Sequence, residues 1–238
     1  MKKPSGYIIY EGKSQLNGGN IVAIVTMSST NIKTGNMASM WILNADIKPT
    51  EASKQGKDAS VCGDCKHRAV NKGACYVTLH HAPLAVYKAY KRGNYPITND
   101  MTIFEGMKVR FGAYGDPSAI PTQILASIKA VVKNNTSYTH QWKQGDKILK
   151  QVSMASVDSI AEQKQAVSEG WRTFRVTSDL SDKLPNEIVC PNTTKAIQCA
   201  DCGLCSGTST RARNIVIEVH GAKKKKFVKQ QELTTQQG

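Results

Sequence analysis

Four cysteines lie close together near the C-terminus, and this cluster constrains the fold more than any other feature of the chain. Cys190, Cys199, Cys202 and Cys205 form the second cysteine group, and the last three follow a C-x2-C-x2-C spacing. Thiolates are soft ligands, and no histidine stands among these four, so a [4Fe–4S] cluster and zinc are the candidate occupants. Zinc sites usually use two separated C-x2-C pairs, whereas three such closely spaced thiolates suit an iron–sulfur cube. We therefore predict a [4Fe–4S] cluster here, with zinc, disulfides or free thiols as alternatives.

A first cysteine group lies in a polar, glycine-containing segment nearer the N-terminus. It consists of Cys62 and Cys65 at C-x2-C and of Cys75, in an overall C-x2-C-x9-C spacing. Three thiolates can hold a [4Fe–4S] cluster that leaves one iron open to a small molecule. The alternatives are a zinc site completed by a histidine, and a site that mixes ligands from both cysteine groups. The candidate histidines are His67, His80 and His81.

Composition indicates a globular protein rather than a membrane protein. The 238 residues are 40% hydrophobic and 21% charged, and a chain of this length can bury one sizeable core. No apolar run reaches the roughly 18 residues of a membrane span, and the N-terminal lysines are not followed by the apolar segment of a signal peptide. We expect a cytoplasmic chain with no membrane contact, in which cysteines indicate metal binding or catalysis more often than disulfides.

The chain carries an excess of positive charge that favours an anionic partner. Its formal net charge is +14, and a run of four lysines, Lys223–Lys226, lies near the C-terminus. A nucleic acid or a nucleotide substrate is the partner that this charge favours, and a merely solvated basic surface is the alternative. We predict one domain over residues 1–221 and a basic, disordered tail over residues 222–238.

Short apolar runs alternate with helical patterns along the chain, which indicates an α/β fold with a mostly parallel sheet. The pattern predicts a full or incomplete parallel (β/α) barrel rather than an open doubly wound sheet. In such folds, functional side chains gather where strands end. Asp116, His140 and Cys190 are therefore expected on one rim, with His140 as a candidate acid or base or as a structural histidine. Strands are predicted at residues 21–27, 37–43, 107–111, 137–140, 150–156, 171–177, 187–189 and 214–219, and helices at 51–54, 84–91, 121–132 and 158–170.

The segment Arg110–Pro117, together with the three-cysteine loop, resembles radical S-adenosylmethionine (SAM) enzymes. In that superfamily a G-G-E-P-like strand end holds the methionine part of SAM, and Gly115-Asp116-Pro117 is similar to it. The resemblance implies SAM binding by Gly112, Gly115, Asp116 and Pro117. The superfamily's usual cysteine spacing is C-x3-C-x2-C, whereas this chain has C-x2-C-x9-C in the first cysteine group.

The same resemblance implies an iron–sulfur enzyme with two clusters. The first cysteine group would hold the cluster that binds SAM, and an electron donor would drive cleavage of SAM to a 5′-deoxyadenosyl radical that abstracts hydrogen from the substrate. The second cysteine group would hold an auxiliary cluster. The chain also resembles uncharacterised bacteriophage proteins with a cysteine-rich C-terminus, which would act in the cytoplasm of a bacterial host. The rival hypothesis is a non-enzymatic protein whose iron–sulfur or zinc sites are structural and whose charge binds nucleic acid or a host protein.

Overall fold

The computed structural model describes residues 3–235, in which ten strands form two five-stranded sheets. The strands are β1 Gly6–Lys13, β2 Asn20–Thr26, β3 Ala38–Asn44, β4 Lys108–Tyr114, β5 Asn134–Thr136, β6 Tyr138–Thr139, β7 Met154–Val157, β8 Thr173–Thr177, β9 Glu187–Val189 and β10 Asn214–Glu218. The helices are α1 Pro49–Lys54, α2 Ala59–Cys62, α3 Ala82–Lys91, α4 Thr122–Val131, α5 Lys147–Val152, α6 Ile160–Ser168, α7 Pro191–Lys195, α8 Cys199–Cys202 and α9 Lys224–Thr235. Short 3₁₀ turns lie at Ala69–Asn71, Met101–Phe104, Pro117–Ala119, Trp142–Gln144, Leu180–Asp182 and Gly207–Ser209.

The two sheets differ in strand direction. The first has the order β1-β2-β3-β4-β5, in which β1, β2 and β3 are antiparallel and β3, β4 and β5 are parallel. The second has the order β6-β7-β8-β10-β9, and all of its strands are parallel. The chain is therefore a mixed α/β protein, which confirms the predicted class.

The two sheets meet at a single residue of the chain. Strand β5 ends at Thr136, β6 begins at Tyr138, and Ser137 lies between them. The Ser137 carbonyl accepts a hydrogen bond from Met154 N at 3.0 Å, so the pairing continues almost directly from one sheet to the next. Within residues 3–235, β1 and β9 are edge strands and no closed barrel forms. The closed form of the predicted barrel is therefore not observed, because the N-terminal β1–β3 meander is antiparallel and occupies one edge.

Most predicted elements are present, and the differences have local causes. Residues 150–156 were expected to form one strand, but α5 occupies their first half and β7 begins only at Met154. The cause is Asp146, whose side chain accepts a hydrogen bond from Leu149 N at 2.7 Å and caps the helix. Strand β1 has no counterpart in the sequence prediction, because its tyrosines and charged residues interrupt the apolar run.

The apolar core is divided between a large cluster and a small one. The large cluster packs β2, β3 and β4 against α4, with Ile24, Met40 and Leu125 fully buried. The small cluster contains Met154, Cys205 and Ile215 and lies against the parallel sheet. The second cysteine group therefore packs on that sheet as part of a core, rather than extending from the fold as a loose loop.

Part of the C-terminal segment that the sequence analysis predicted as a basic, disordered tail is helical in the structure. Residues Lys224–Thr235 form α9, and Phe227 of this helix is only 4% exposed. Burial of one phenylalanine side chain stabilises by about 1.5–3 kcal/mol, which can hold a polar helix against the rest of the protein. The remaining positions of the predicted tail, 236–238, lie outside the described residues. None of the helices in the described part of the chain has the length and apolar content needed to cross a membrane.

A buried ion pair fixes β9, the strand that leads to Cys190. The Arg175 guanidinium donates to both carboxylate oxygens of Glu187 at 2.8 Å, and the two side chains are 1% and 0% exposed. Arg175 also donates to Asp182 at 2.9 and 3.0 Å. Because neither charge reaches water, each depends on the other for its stabilisation.

We expect Arg175→Met to lower the free energy of unfolding by about 3–5 kcal/mol, because it leaves the Glu187 carboxylate buried without its partner. The double variant Arg175→Met/Glu187→Met should recover a large part of that loss, because it buries no unpaired charge. Urea denaturation followed by circular dichroism measures the free energy of unfolding of each single variant and of the double variant. A double variant that is destabilised by the sum of the two single effects would contradict this account.

Candidate metal centres

A tight loop brings the three thiols of the first cysteine group together. Helix α2 ends at Cys62, the chain turns at Gly63 with φ of 58°, and Cys65 N donates to the Cys62 carbonyl at 3.2 Å. The chain then doubles back, and Cys75 N donates to the His67 carbonyl at 3.0 Å. Gly73 is required at this return, because a Cβ there would lie 2.2 Å from the His67 carbonyl carbon. The long x9 spacing is thus a local hairpin that places Cys75 beside the C-x2-C pair.

Arg68 holds this loop against the body of the protein. Its guanidinium donates to Asp58 Oδ1 at 2.6 and 3.0 Å, to the Gly63 carbonyl at 2.9 Å and to the Gly56 carbonyl at 2.6 Å. Asp58 precedes α2 and is 3% exposed. Charge-assisted hydrogen bonds of this kind are about twice as strong as neutral ones, so Arg68 contributes to fixing the loop.

The thiols of the first cysteine group affect one another electrostatically. Burial raises the pKa of Cys62 well above its usual value, and Asp58, Cys75 and Cys65 raise it further. Burial also raises the pKa of Cys65, to about 12, against the opposing effect of a backbone hydrogen bond from His67. Thiols with such values stay protonated at neutral pH, which argues against a reactive thiolate nucleophile. A bound metal would reverse this, because it deprotonates the thiols that coordinate it.

The strand end with the SAM-like motif lies beside the first cysteine group. Asp116 N donates to the carbonyl of Val61, the residue before Cys62, at 2.6 Å. Gly112 and Gly115 both have positive φ, and a Cβ at Gly115 would lie 2.6 Å from the Ile42 carbonyl oxygen. The glycines therefore allow a close turn of the protein's own chain, and Pro117 begins the 3₁₀ turn that follows.

The Asp116 carboxylate is occupied by the fold. It accepts hydrogen bonds from Ser118 N and Ser118 Oγ, from Thr139 Oγ1 at 2.7 Å and from His140 N at 2.8 Å. The structure thus brings two of the expected rim residues, Asp116 and His140, into direct contact. Cys190, the third, lies instead with the second cysteine group.

A buried charged network surrounds His67, two residues after Cys65. His67 Nε2 lies 2.5 Å from Asp158 Oδ2, and Lys66 Nζ lies 3.1 Å from the same oxygen. The rings of His67 and His140 are edge-on, with centroids 5.5 Å apart. Burial lowers the pKa of His140, which keeps its imidazole neutral. Within the described residues, His67 Nδ1, Asp158 Oδ1 and the Tyr114 hydroxyl are buried without a hydrogen-bond partner.

Helix α9 covers this network. The ring of Phe227 stacks on His67 with a centroid distance of 5.8 Å, and Gln231 Nε2 donates to the Asp158 carbonyl at 2.5 Å. Lys224 at the start of the helix pairs with Glu218 at 2.7 Å. The C-terminal helix therefore covers His67 and Asp158, beside the loop that carries Cys65.

The second cysteine group is assembled from a strand end and a short helix. Cys190 follows β9 and donates its amide to the Val216 carbonyl at 2.9 Å. Cys199 and Cys202 are the two ends of α8, whose first amides donate to the carbonyls of Lys33 and Thr34. The Cys205 carbonyl accepts from Ser137 N at 2.9 Å, at the junction of the two sheets.

The thiols of this group are near enough to affect the ionisation of Cys205. Burial raises the pKa of Cys205 to about 12, and the neighbouring Cys190, Cys199 and Cys202 raise it while a hydrogen bond with the Tyr138 hydroxyl lowers it. A small cleft is lined by three of these cysteines and by Thr136 and Leu204, among others. Gly203 makes the packing possible, because a Cβ there would lie 2.0 Å from the Asn134 amide nitrogen.

All seven cysteines are free thiols, so the disulfide alternative is not observed. Within residues 3–235, no three Cys, His, Asp or Glu side chains stand close enough to hold a single metal ion. Of the three candidate histidines, His67 is hydrogen-bonded to Asp158. His80 and His81 are exposed, and their rings contact each other edge to face. A preformed site for a single metal ion is therefore not observed in either group. Each group offers thiol donors without a histidine, the donor type of iron–sulfur clusters.

Comparison with protein-family models, with curated proteins and with solved structures finds no match to this chain. The functional argument therefore depends on the donor sets and their geometry. Sequence reasoning found all the thiols but missed Arg68, Asp58 and Tyr138, which position them. An arginine three residues after Cys65 is the only sequence signal that could have indicated the clamp, and it is a weak one.

The Asp158 carboxylate should make stability depend on pH in acid. Burial alone would raise its pKa, but the hydrogen bond and charge of His67 and the charge of Lys66 outweigh burial and lower the pKa from 3.8 to about 2. A lowered folded-state pKa contributes stability above the unfolded value, which is lost as pH falls from about 4 to about 2. Asp158→Asn should therefore cost about 2 kcal/mol at neutral pH and flatten the pH dependence in that window. Urea titrations at several pH values test this, with the exposed Asp64→Asn as control; equal curves for both variants would contradict it.

Removing α9 should make the first cysteine group more reactive. We expect a chain ending at Gly221, or the variant Phe227→Ala, to react about tenfold faster with a disulfide thiol reagent at Cys62 and Cys65, because the wall over His67 is lost. The exposed Lys225→Ala is the matched control. Mass spectrometry of the labelled metal-free protein assigns the sites, and unchanged rates in the truncated chain would show that α9 does not shield them.

Proposed function

We propose that this chain is an iron–sulfur protein that holds two [4Fe–4S] clusters. The first cysteine group would hold one cluster with an open iron, and the second would hold a cluster with four thiolate ligands. The proposal is supported by the spacing of the seven cysteines in the sequence, by the backbone return that brings Cys75 next to the His67 carbonyl, and by the cleft that Cys199, Cys202 and Cys205 share. Soft thiolate donors without histidine favour iron–sulfur chemistry over hard cations.

The positive charge of the chain supports a cluster-loaded state. Burial raises the pKa of thiols in both groups, so a metal would have to displace their protons, and loading should become easier as the pH rises. The formal charge of +14 also favours occupants with net negative charge, which thiolate-ligated clusters are.

We propose further that the protein is a radical SAM-type enzyme. The support is positional: the Gly112–Pro117 strand end is adjacent to Cys62, through the Asp116–Val61 hydrogen bond. The two sheets, joined at Ser137, would act as an incomplete barrel around the site. When bound, the first cluster would supply the electron that cleaves SAM to a 5′-deoxyadenosyl radical, drawn from an external electron donor.

The chain's own residues would prepare this site. Arg68 fixes the loop that carries the thiols, and Asp116 fixes the strand end beside them. Phe227 of α9 covers the His67 side, which limits entry of water to a site where radical chemistry requires its exclusion. SAM would meet backbone groups at Gly112 and Gly115 rather than the Asp116 carboxylate, because that carboxylate is already hydrogen-bonded.

Iron and acid-labile sulfide analysis after anaerobic purification tests the cluster proposal. We expect about eight iron and about eight sulfide per chain, because each cluster contributes four of each. Replacing the first cysteine group by serine should leave about half of both, and replacing the second should leave the other half. Each set is the control for the other, and stoichiometric zinc without sulfide would exclude the proposal.

Release of 5′-deoxyadenosine from SAM under reductant tests the enzymatic step. We expect release from the wild-type protein and from the serine variant of the second group, and none from the serine variant of the first. Fully loaded protein that releases none would reject the SAM assignment while leaving the iron–sulfur proposal intact.

A second candidate function is a metal-stabilised protein that binds nucleic acid or a host protein. The observation that favours it is the exposed run Lys223–Lys226, at the start of α9. Phosphate contacts by lysines would give affinity for nucleic acid that falls steeply with salt. Tight, salt-dependent binding by a loaded protein that does not cleave SAM would support this function over the enzymatic one.

A further inference from the structure

Strand β4 runs from one cysteine group to the other. At its N-terminal end Lys108 pairs with Asp201, inside the Cys199–Cys202 turn, at 3.1 Å. At its C-terminal end lies the buried Tyr114, where burial, followed by the neighbouring Cys62, raises the pKa of the phenol. Six residue steps separate Lys108 from Tyr114, which corresponds to about 20 Å. The middle of β4 therefore lies between the two cysteine groups.

Arg110 occupies that middle position. Its strand partners are Ser39 on β3 and Thr136 on β5, so the three side chains share one face of the sheet. Thr136 lines the cleft of the second cysteine group. On the other side, Arg110 Nη2 lies 3.4 Å from the hydroxyl of Tyr76, the residue after Cys75. Arg110 is thus in reach of both cysteine groups.

Arg110 also differs from the other partly or fully buried arginines. Arg68 and Arg175 each meet carboxylates, and Arg172 donates to the carbonyls of Leu204, Gly207 and Arg213. Among the ion pairs of residues 3–235 none includes Arg110, and its one recorded hydrogen bond is the long contact with Tyr76. Most of its donors are therefore free for a ligand.

We propose that Arg110 binds the carboxylate or phosphate of a small substrate on the face of β4 that lies between the two cysteine groups. A guanidinium presents paired N–H donors that match two oxygens of such a group, which is why arginine recognises carboxylates and phosphates. The inference rests on the proposed function for the identity of the reaction, and it adds the class of substrate: a small molecule bearing an oxyanion. Thr136 and the Tyr76 hydroxyl are placed to complete the hydrogen bonding.

The test is titration of the purified protein with inorganic phosphate, followed by the NMR signals of arginine Nε–H groups. We expect saturable shifts at Arg110, an affinity about tenfold weaker in Arg110→Gln, and partial retention in Arg110→Lys, which keeps the charge without the paired donors. The exposed Arg92→Gln is the matched control and should bind like wild type.

Equal phosphate affinity in wild type and Arg110→Gln would overturn the proposal, as would a titration that leaves the Arg110 Nε–H signal unshifted. The first of these results would mean that Arg110 only balances the charge of the second cysteine group. Iron is measured in the same samples, so the two proposals fail separately. Arg110-dependent binding in protein that cannot be loaded with iron would reject the iron–sulfur function and keep the anion site, and loaded protein without such binding would do the reverse.

Discussion

The Asp116 carboxylate is the interaction on which the arrangement of the site depends. It accepts hydrogen bonds from Thr139 and His140, at the start of the parallel sheet, and its own amide donates to Val61 in the helix that ends at Cys62. A buried carboxylate needs several donors to offset its desolvation, and here the donors come from two separate parts of the chain. The carboxylate therefore joins the end of β4 to the sheet junction, and the Asp116 amide joins the same strand end to the first cysteine group.

Arginine side chains fix the two cysteine loops by hydrogen bonds, as Asp116 fixes the strand ends. Arg68 fastens the first cysteine loop, and Arg172 holds the second cysteine segment through the Leu204 and Gly207 carbonyls. Loops with few apolar residues cannot be fixed by burial of hydrophobic area, so multidentate donors take that role. Arg110, by contrast, has no carboxylate or carbonyl partner among the described residues and leaves most of its donors free.

The sequence was informative where the signal is local. The apolar runs of β2 and β3 and the periodicity of α4 are properties of short windows, and all three elements form close to the expected positions. The two cysteine groups were also found from spacing alone. Helix α9 was missed because its composition is polar, and its contacts with the protein, such as that of Phe227 with His67 and that of Gln231 with Asp158, join residues far apart in sequence.

The sequence by itself determined the α/β class, the grouping of the cysteines and the soft-ligand chemistry that they can support, because these follow from residue type and near-neighbour spacing. Only the tertiary structure decided that the strands form two sheets joined at Ser137 without closing a barrel, and that Cys75 returns to Cys65. It alone also placed Arg110 between the two cysteine groups. The physical reason is that strand order and the pairing of buried charges depend on contacts between distant residues, for which a single sequence carries no local signal.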